Sequence, residues 1–157
     1  MLEAGRHQGC TGLFTLSLTA VPSAPYAARY KTAVILREWQ VPPELADSAV
    51  LLTSELVTNA IRFGQRPGNT PLIPSEIGLA IWREPGRLVV EVSDQNPAAR
   101  PVLLPECAGS ESGRGLRLAA DLSSEWWYYL PRAGWKTVAC VITSGGPEGD
   151  AADDAGS

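Results

Sequence analysis

Glu55 and Asn59 form the first pair of side chains in the sequence whose types and spacing are suited to chemistry. They stand four residues apart in a segment whose apolar residues recur at helical spacing, so both project from one helix face, one turn apart. An amide oxygen suits a hard cation such as Mg²⁺, and a carboxylate can orient or deprotonate a nucleophile. The alternative is an ordinary solvated helix face, because polar pairs at this spacing are frequent. The pair predicts a catalytic metal site only in combination with other residues.

Asp94 is the second candidate, because it continues the apolar alternation of a strand. Side chains alternate between the two faces of a strand, so every second residue lies on the same face. The carboxylate therefore points the same way as the apolar residues Leu88, Val90 and Val92. A buried unpaired charge costs several kcal/mol, so a protein donor or a ligand amine must pair with it. The exocyclic amine of adenine is such a donor. The alternative is an aspartate that caps the turn after the strand.

Two further features complete the candidate site. Gly113-Arg114-Gly115-Leu116 stands at the start of a predicted short helix, where glycines let the backbone approach a ligand and free N–H groups favour phosphate. A plain helix-start turn is the alternative, and no Gly-x-x-x-x-Gly-Lys-Ser/Thr phosphate loop occurs in the sequence. Thr137, on the last predicted strand, carries a hydroxyl that we expect to reach a ring nitrogen or a water beside Asp94. By itself Thr137 is also an ordinary β-branched strand residue.

Two helices are predicted to position these groups. The first runs from about Tyr26 to Gln40, and the second begins after Pro42-Pro43 and ends before Gly64. The predicted apolar side of the first helix consists of Tyr30, Ala33, Val34 and Leu36. The predicted core stripe of the second consists of Leu45, Ala49, Leu52, Leu56 and Phe63.

The strands are predicted around these helices. Apolar and polar residues alternate over 14–18, which indicates an edge strand. Two further strands are predicted on either side of a turn at Glu84-Pro85-Gly86. The inward residues are 77, 79 and 81 in the first of these strands and 88, 90 and 92 in the second. Residues 95–113 are predicted to form a binding loop or lid, followed by a helix over 115–122 and a hairpin over 125–130 and 136–142. The aromatic run 126–129 is expected to pack on the sheet. The order predicts an α+β two-layer sandwich, with helices on one face of a mainly antiparallel sheet.

Composition limits the domain organisation and the partners. The chain has 157 residues, 45% of them hydrophobic, which suits one domain. We expect a flexible segment 1–12, a domain 13–143 and a disordered acidic tail 144–157. That tail carries the whole formal net charge of −4, so the remaining body is neutral and lacks the basic surface that nucleic acid or an anionic membrane attracts. Three scattered cysteines and the lack of a signal-like or membrane-spanning run predict a cytoplasmic protein.

The order of these pieces resembles the Bergerat-fold ATPases, the superfamily of histidine kinases and Hsp90. The chain is most similar to the small anti-sigma-factor serine kinases and their actinobacterial relatives. The likeness is carried by four stretches: 54–60 (SELVTNA), 93–97 (SDQNP), 111–116 (ESGRGL) and 134–138 (GWKTV). The sequence departs from the pattern at Gln95-Asn96-Pro97-Ala98, where many members have glycines after the aspartate. Phe63 replaces a common histidine, and Glu111 stands where some of the kinases have arginine.

The resemblance implies ATP and Mg²⁺ as ligands and assigns roles to the residues. Asn59 is the implied Mg²⁺ ligand, Glu55 activates the attacking group, and Asp94 binds the adenine amine. The implied nucleotide-binding set is completed by Asn96, Gly113, Arg114, Gly115, Leu116 and Thr137. The function implied is a serine/threonine protein kinase that phosphorylates a small anti-sigma antagonist protein, with possible sequestration of a sigma factor and possible homodimers. The alternative is a nucleotide-dependent protein-binding module with little kinase turnover.

Overall fold

The computed structural model describes residues 10–68, 70, 72–101 and 123–144. Within these residues the order of elements is one strand, two helices and four strands. The elements are β1 (Gly12–Thr19), α1 (Ala24–Glu38), α2 (Pro43–Phe63), β2 (Glu76–Glu84), β3 (Arg87–Asp94), β4 (Glu125–Tyr129) and β5 (Lys136–Thr143). The predicted helix 115–122 lies outside the described residues, as do residues 1–9 of the predicted segment 1–12 and residues 145–157 of the predicted tail 144–157.

The strands form one five-stranded sheet in the order β1-β2-β3-β5-β4. Every neighbouring pair is antiparallel, and the predicted edge strand β1 does lie at an edge. The tight turn between β2 and β3 uses Gly86, whose φ of 77° is costly for other residues. The predicted α+β fold with helices on one face of the sheet is therefore confirmed.

Alternation along the strands gives the sheet two distinct faces. Inward residues of the central strands pack with α2 in the main core: Leu79, Ile81, Leu88, Val90, Val92, Val138, Cys140 and Ile142. In the β3–β5 pairing Val92 lies opposite Val138, and Asp94 lies opposite Lys136. Asp94 and Lys136 therefore extend the helix-covered face by one position.

Helix α2 positions the candidate catalytic residues. Pro43 occupies its first turn, where a missing N–H costs nothing, and Glu44 complements the positive end of the helix dipole. Ala49, Leu52 and Leu56 are buried as predicted, whereas Phe63 is 45% exposed. The predicted core role of Phe63 is wrong, because the helix ends there and its last turn reaches the margin of the sheet.

Helix α1 presents a different face to the core from the one predicted. Tyr30 is 63% exposed and Val34 is 41% exposed, whereas Ala28 and Thr32 are fully buried. The helix packs chiefly on α2, and small side chains at this contact let two helices approach closely. Only Leu36 of the predicted apolar side is buried. None of the described helices is both long and apolar enough to cross a membrane.

Candidate functional site

A cavity of about 90 Å³ lies between the second half of α2 and the ends of β3 and β5. Helix α2 forms one wall, the two strands form the floor, and the chain just after β3 forms the other wall. The lining residues are Leu56, Asn59, Ala60, Phe63, Val92, Asp94, Ala99, Arg100, Pro101, Lys136 and Val138. Two of the sequence-predicted site residues, Asn59 and Asp94, therefore meet at one cavity.

The side chain of Asn59 enters the cavity from α2 with an unsatisfied donor. Its amide nitrogen is buried and has no hydrogen-bond partner. Glu55 lies one helical turn earlier on the same face and is partly exposed. Glu55 is not among the described residues that line the cavity. Among the residues that the structure describes, no hydrogen bond or ion pair engages its carboxylate, which leaves this group available as an acceptor.

Asp94 is only 5% exposed and is held by two interactions at the end of β3. Its Oδ1 accepts a hydrogen bond of 3.0 Å from the backbone N–H of Asn96. Its Oδ2 lies 3.3 Å from the ammonium of Lys136. Burial raises the pKa of Asp94, and the Asn96 hydrogen bond and the Lys136 charge oppose that rise. The buried charge is thus compensated inside the protein.

The turn after β3 is fastened to the end of α2. Asn96 donates a side-chain hydrogen bond of 3.1 Å to the carbonyl of Phe63. Gly64 follows, and a Cβ added there would stand only 2.5 Å from Cγ of Asp94. The sequence analysis explained Gly64 only as a helix terminator. The structure adds a steric requirement, since any side chain at this position would displace the buried carboxylate.

Gly64→Ala is therefore expected to destabilise the fold by about 1–3 kcal/mol, the usual range for overpacking a buried site. Urea unfolding would measure the loss. Gly78→Ala is the matched control, because its Cβ would meet Ser93 at an ordinary 3.6 Å. Equal unfolding midpoints for the two variants would contradict the steric role of Gly64.

Thr137 does not lie beside Asp94. It pairs with Ser93 in the β3–β5 register, and the two hydroxyls are 2.7 Å apart on the face of the sheet away from the helices. Strand alternation is the reason, because residues 136 and 138 face the cavity and residue 137 must face away. The expected contact of Thr137 with a base or water near Asp94 is therefore wrong.

Thr137 instead lines a larger cavity of about 560 Å³ on the outer face of the sheet. The carboxylate of Glu91 is buried there and accepts hydrogen bonds of 2.9 Å at both oxygens from the hydroxyl of Tyr129. Small residues such as Gly78 and Ala80 leave room above the strands. Of the predicted site residues that the structure describes, only Thr137 lines this cavity, whereas Asn59 and Asp94 line the smaller one on the opposite face of the sheet.

The sequence analysis missed Lys136, which is buried at the floor of the smaller cavity and only 4% exposed. Its ammonium donates to the carbonyls of Asn96 at 3.2 Å and Ala99 at 2.5 Å, besides contacting Asp94. Lys136 lies on the same face of the strand as Val138 and Cys140, and this alternation could have identified it as an inward residue. The predicted phosphate-binding stretch Gly113, Arg114, Gly115 and Leu116 lies outside the described residues.

Comparison with known proteins identifies the family. A family model described as a histidine kinase-like ATPase domain matches residues 18–141. The chain belongs to this family. A search of the curated proteins found no match to the sequence.

Two solved structures have a similar fold. A chain of the SiaB-SiaC complex from Pseudomonas aeruginosa superposes with a TM-score of 0.61 at 17% identity, covering 88% of this chain and 93% of that one. A structure of the RsbU and RsbW domains of Rv1364c from Mycobacterium tuberculosis gives a TM-score of 0.54 at 18% identity. In that case the match covers 85% of this chain and 32% of the longer one. At such identities these similarities show the fold alone.

A histidine kinase-like ATPase domain implies that the chain binds ATP. The family match spans every element that lines the cavity. No group of three or more His, Cys, Asp or Glu able to hold a metal occurs in the described ranges. Mg²⁺ generally needs no such cluster, since it is commonly bound by one or two protein groups together with substrate phosphates and water.

Proposed function

We propose that this domain binds Mg·ATP in the cavity beneath α2 and transfers the γ-phosphoryl group to a serine or threonine of a small protein antagonist of an anti-sigma factor. The observation that carries the proposal is the meeting of Asn59 and Asp94 at one cavity in a histidine kinase-like ATPase domain. A buried amide without a partner and a buried carboxylate are the two groups that a nucleotide would use there.

Asp94 is proposed to read the nucleobase. One of its oxygens accepts from Asn96 and the other contacts Lys136, yet an ionised carboxylate offers about four lone-pair positions. One position can therefore accept a hydrogen bond from the exocyclic amine of adenine. Val92 and Val138 provide an apolar floor for a flat ring.

Asn59 is proposed to hold the metal. Its amide oxygen is a ligand type that Mg²⁺ favours, and its unpaired Nδ2 would gain a partner in a phosphate or ribose oxygen. When bound, Mg²⁺ would neutralise charge on the phosphate oxygens. We also keep the predicted phosphate contacts of Gly113, Arg114, Gly115 and Leu116 in the proposal.

Glu55 is proposed to orient the attacking hydroxyl and accept its proton. A bond forms between the hydroxyl oxygen of the partner and the γ-phosphorus, and the bond from that phosphorus to the β–γ bridging oxygen breaks. ADP leaves, and the hydroxyl proton passes to the Glu55 carboxylate. Catalysis in such transfers is mostly positioning and charge stabilisation, for which an unengaged carboxylate one turn from Asn59 is suited.

The protein partner is proposed from the sequence resemblance and from the similar structures. One of these contains a complex of two proteins, SiaB and SiaC, and the other carries RsbU and RsbW domains together. Sequestration of a sigma factor and a cytoplasmic location are parts of the same proposal, as is a homodimer. Incubation with labelled ATP and candidate antagonists tests it, because only a kinase would label a partner on serine or threonine.

Asn59→Ala tests the metal role. We expect the affinity for Mg·ATP to fall by about tenfold or more, since interactions with charged groups are typically worth about 1.5–3 kcal/mol. Calorimetry with Mg²⁺ and with a chelator would separate the contribution of the metal to ATP affinity from that of direct contacts with Asn59. The wild type should lose affinity on chelation and the variant should not. An unchanged response to Mg²⁺ in a folded variant would exclude Asn59 as the ligand.

A further inference from the structure

The cavity beneath α2 is too small for a nucleobase. Its volume is about 90 Å³. Pockets for small molecules usually enclose about 300–1,000 Å³. Adenine has ten heavy atoms, nine in the purine ring system and one in the exocyclic amine, so the cavity must enlarge before the base can enter it.

One wall is better placed to move than the others. The α2 wall and the strand floor belong to the main core through Leu56, Ala60, Val92 and Val138. In the part of the chain that the structure describes, the remaining wall consists of Ala99, Arg100 and Pro101, which follow β3 outside the helices and strands. Enlargement of the cavity therefore requires this wall to move outward.

Lys136 fastens that wall to the sheet. Its ammonium has three donors, and the structure gives it three acceptors: Oδ2 of Asp94 and the carbonyls of Asn96 and Ala99. Asn96 belongs to the chain between β3 and the wall, and Ala99 belongs to the wall itself. The third acceptor is the Asp94 carboxylate, which is proposed to accept a hydrogen bond from the adenine amine. The Lys136 side chain therefore both closes the cavity and contacts the group proposed to recognise the base.

We propose that Lys136 is a latch on the base pocket, and that ATP binds only after the ammonium releases the carbonyl of Ala99. The proposal rests on the proposed function, since it assigns the base to this cavity. The apparent dissociation constant then equals the intrinsic one divided by the fraction of unlatched molecules. Lys136 thus limits nucleotide affinity instead of supplying it.

Two variants test the latch. Lys136→Met removes all three donors, whereas Lys136→Gln keeps a donor for Asp94 and so protects the fold from an uncompensated buried carboxylate. Both are expected to bind ATP roughly tenfold more tightly than wild type, the effect of losing one charge-assisted hydrogen bond from the closed state. The control is Lys31→Met, which removes the chain's other lysine from the exposed side of α1.

Amide hydrogen exchange provides a measurement without nucleotide. The amides of Ala98, Ala99 and Arg100 should exchange faster in Lys136→Gln than in wild type or Lys31→Met, because the wall is no longer fastened. Wild type itself should show faster exchange at these amides when ATP is added, which serves as the readout if both Lys136 variants fail to fold.

The outcomes separate the latch from the proposed function. Weaker or unchanged ATP binding in a folded Lys136 variant would overturn the latch and assign Lys136 a supporting role beside Asp94. Unchanged exchange at residues 98–100 would overturn it independently of nucleotide. If wild type and all variants bind no ATP under any condition, the proposed function fails and the latch fails with it.

Discussion

Glu55→Gln is expected to slow phosphoryl transfer by roughly 10²–10⁴, the usual contribution of a positioned general base, with the lower end favoured because phosphoryl transfer depends mostly on positioning. The substitution keeps the shape of the side chain and removes its capacity to take a proton. ATP affinity should change by no more than a few-fold, because Glu55 supplies no donor to the phosphates. Single-turnover labelling of the antagonist at saturating ATP would isolate the transfer step from binding.

Glu44→Gln is the control for this experiment. This substitution makes the same change of charge on the same helix, because Glu44 lies in the exposed first turn of α2, away from the cavity. It should label the partner at the wild-type rate. Equal rates for wild type and Glu55→Gln would remove Glu55 from the mechanism, whereas a wild type that binds ATP and labels no partner would favour the nucleotide-dependent binding module.

Much of the fold was predictable because local signals and tertiary packing agree. The β2–β3 hairpin was specified by alternation on both sides of Glu84-Pro85-Gly86, and Gly86 adopts the positive φ that such a turn requires. Helix α2 was equally clear, since its apolar stripe and its proline start indicated the same boundaries. In both elements the residues that define the pattern are the ones that pack.

Helix α1 was mispredicted in orientation because most of its bulky apolar residues do not face the core. Its buried residues are the small Ala24, Ala28 and Thr32 together with Leu36, and the tyrosines face solvent. Hydrophobic periodicity measures where large apolar residues lie. Periodicity does not indicate where two helices will pack closely, and at such a contact the small residues are the ones that face the neighbouring helix.

The candidate site was partly predictable for a similar reason. Parity along β3 placed Asp94 on the inward face, and the spacing of Glu55 and Asn59 placed both on one side of α2. The same parity rule applied to β5 would have brought Lys136 into the cavity and turned Thr137 away from it. Thr137 was expected beside Asp94 from its place on the last strand, but it pairs with Ser93 and so lies on the opposite face of the sheet.

A second nucleotide, which lacks the exocyclic amine, can show whether the Asp94 carboxylate accepts the hydrogen bond from adenine. Asp94→Asn is expected to weaken ATP binding by tenfold or more, since a charge-assisted hydrogen bond contributes about 1.5–3 kcal/mol. Purine riboside triphosphate lacks the exocyclic amine and should bind wild type and variant with similar affinity. The ratio of the two affinities is the informative quantity, because any effect on pocket shape or on Lys136 influences both nucleotides equally.

Asp47→Asn supplies the control, as it makes the same substitution at an exposed position near the start of α2. Melting curves must accompany the comparison, because Asp94→Asn leaves the ammonium of Lys136 without its charged partner, and breaking a buried pair can destabilise a fold by about 3–5 kcal/mol. In a folded Asp94→Asn variant, a preference for ATP over the amine-free nucleotide equal to that of wild type would mean that another group reads the base. Loss of that preference alone, with equal affinity for the amine-free nucleotide, would assign the amine to Asp94 and distinguish base recognition from a purely structural ion pair.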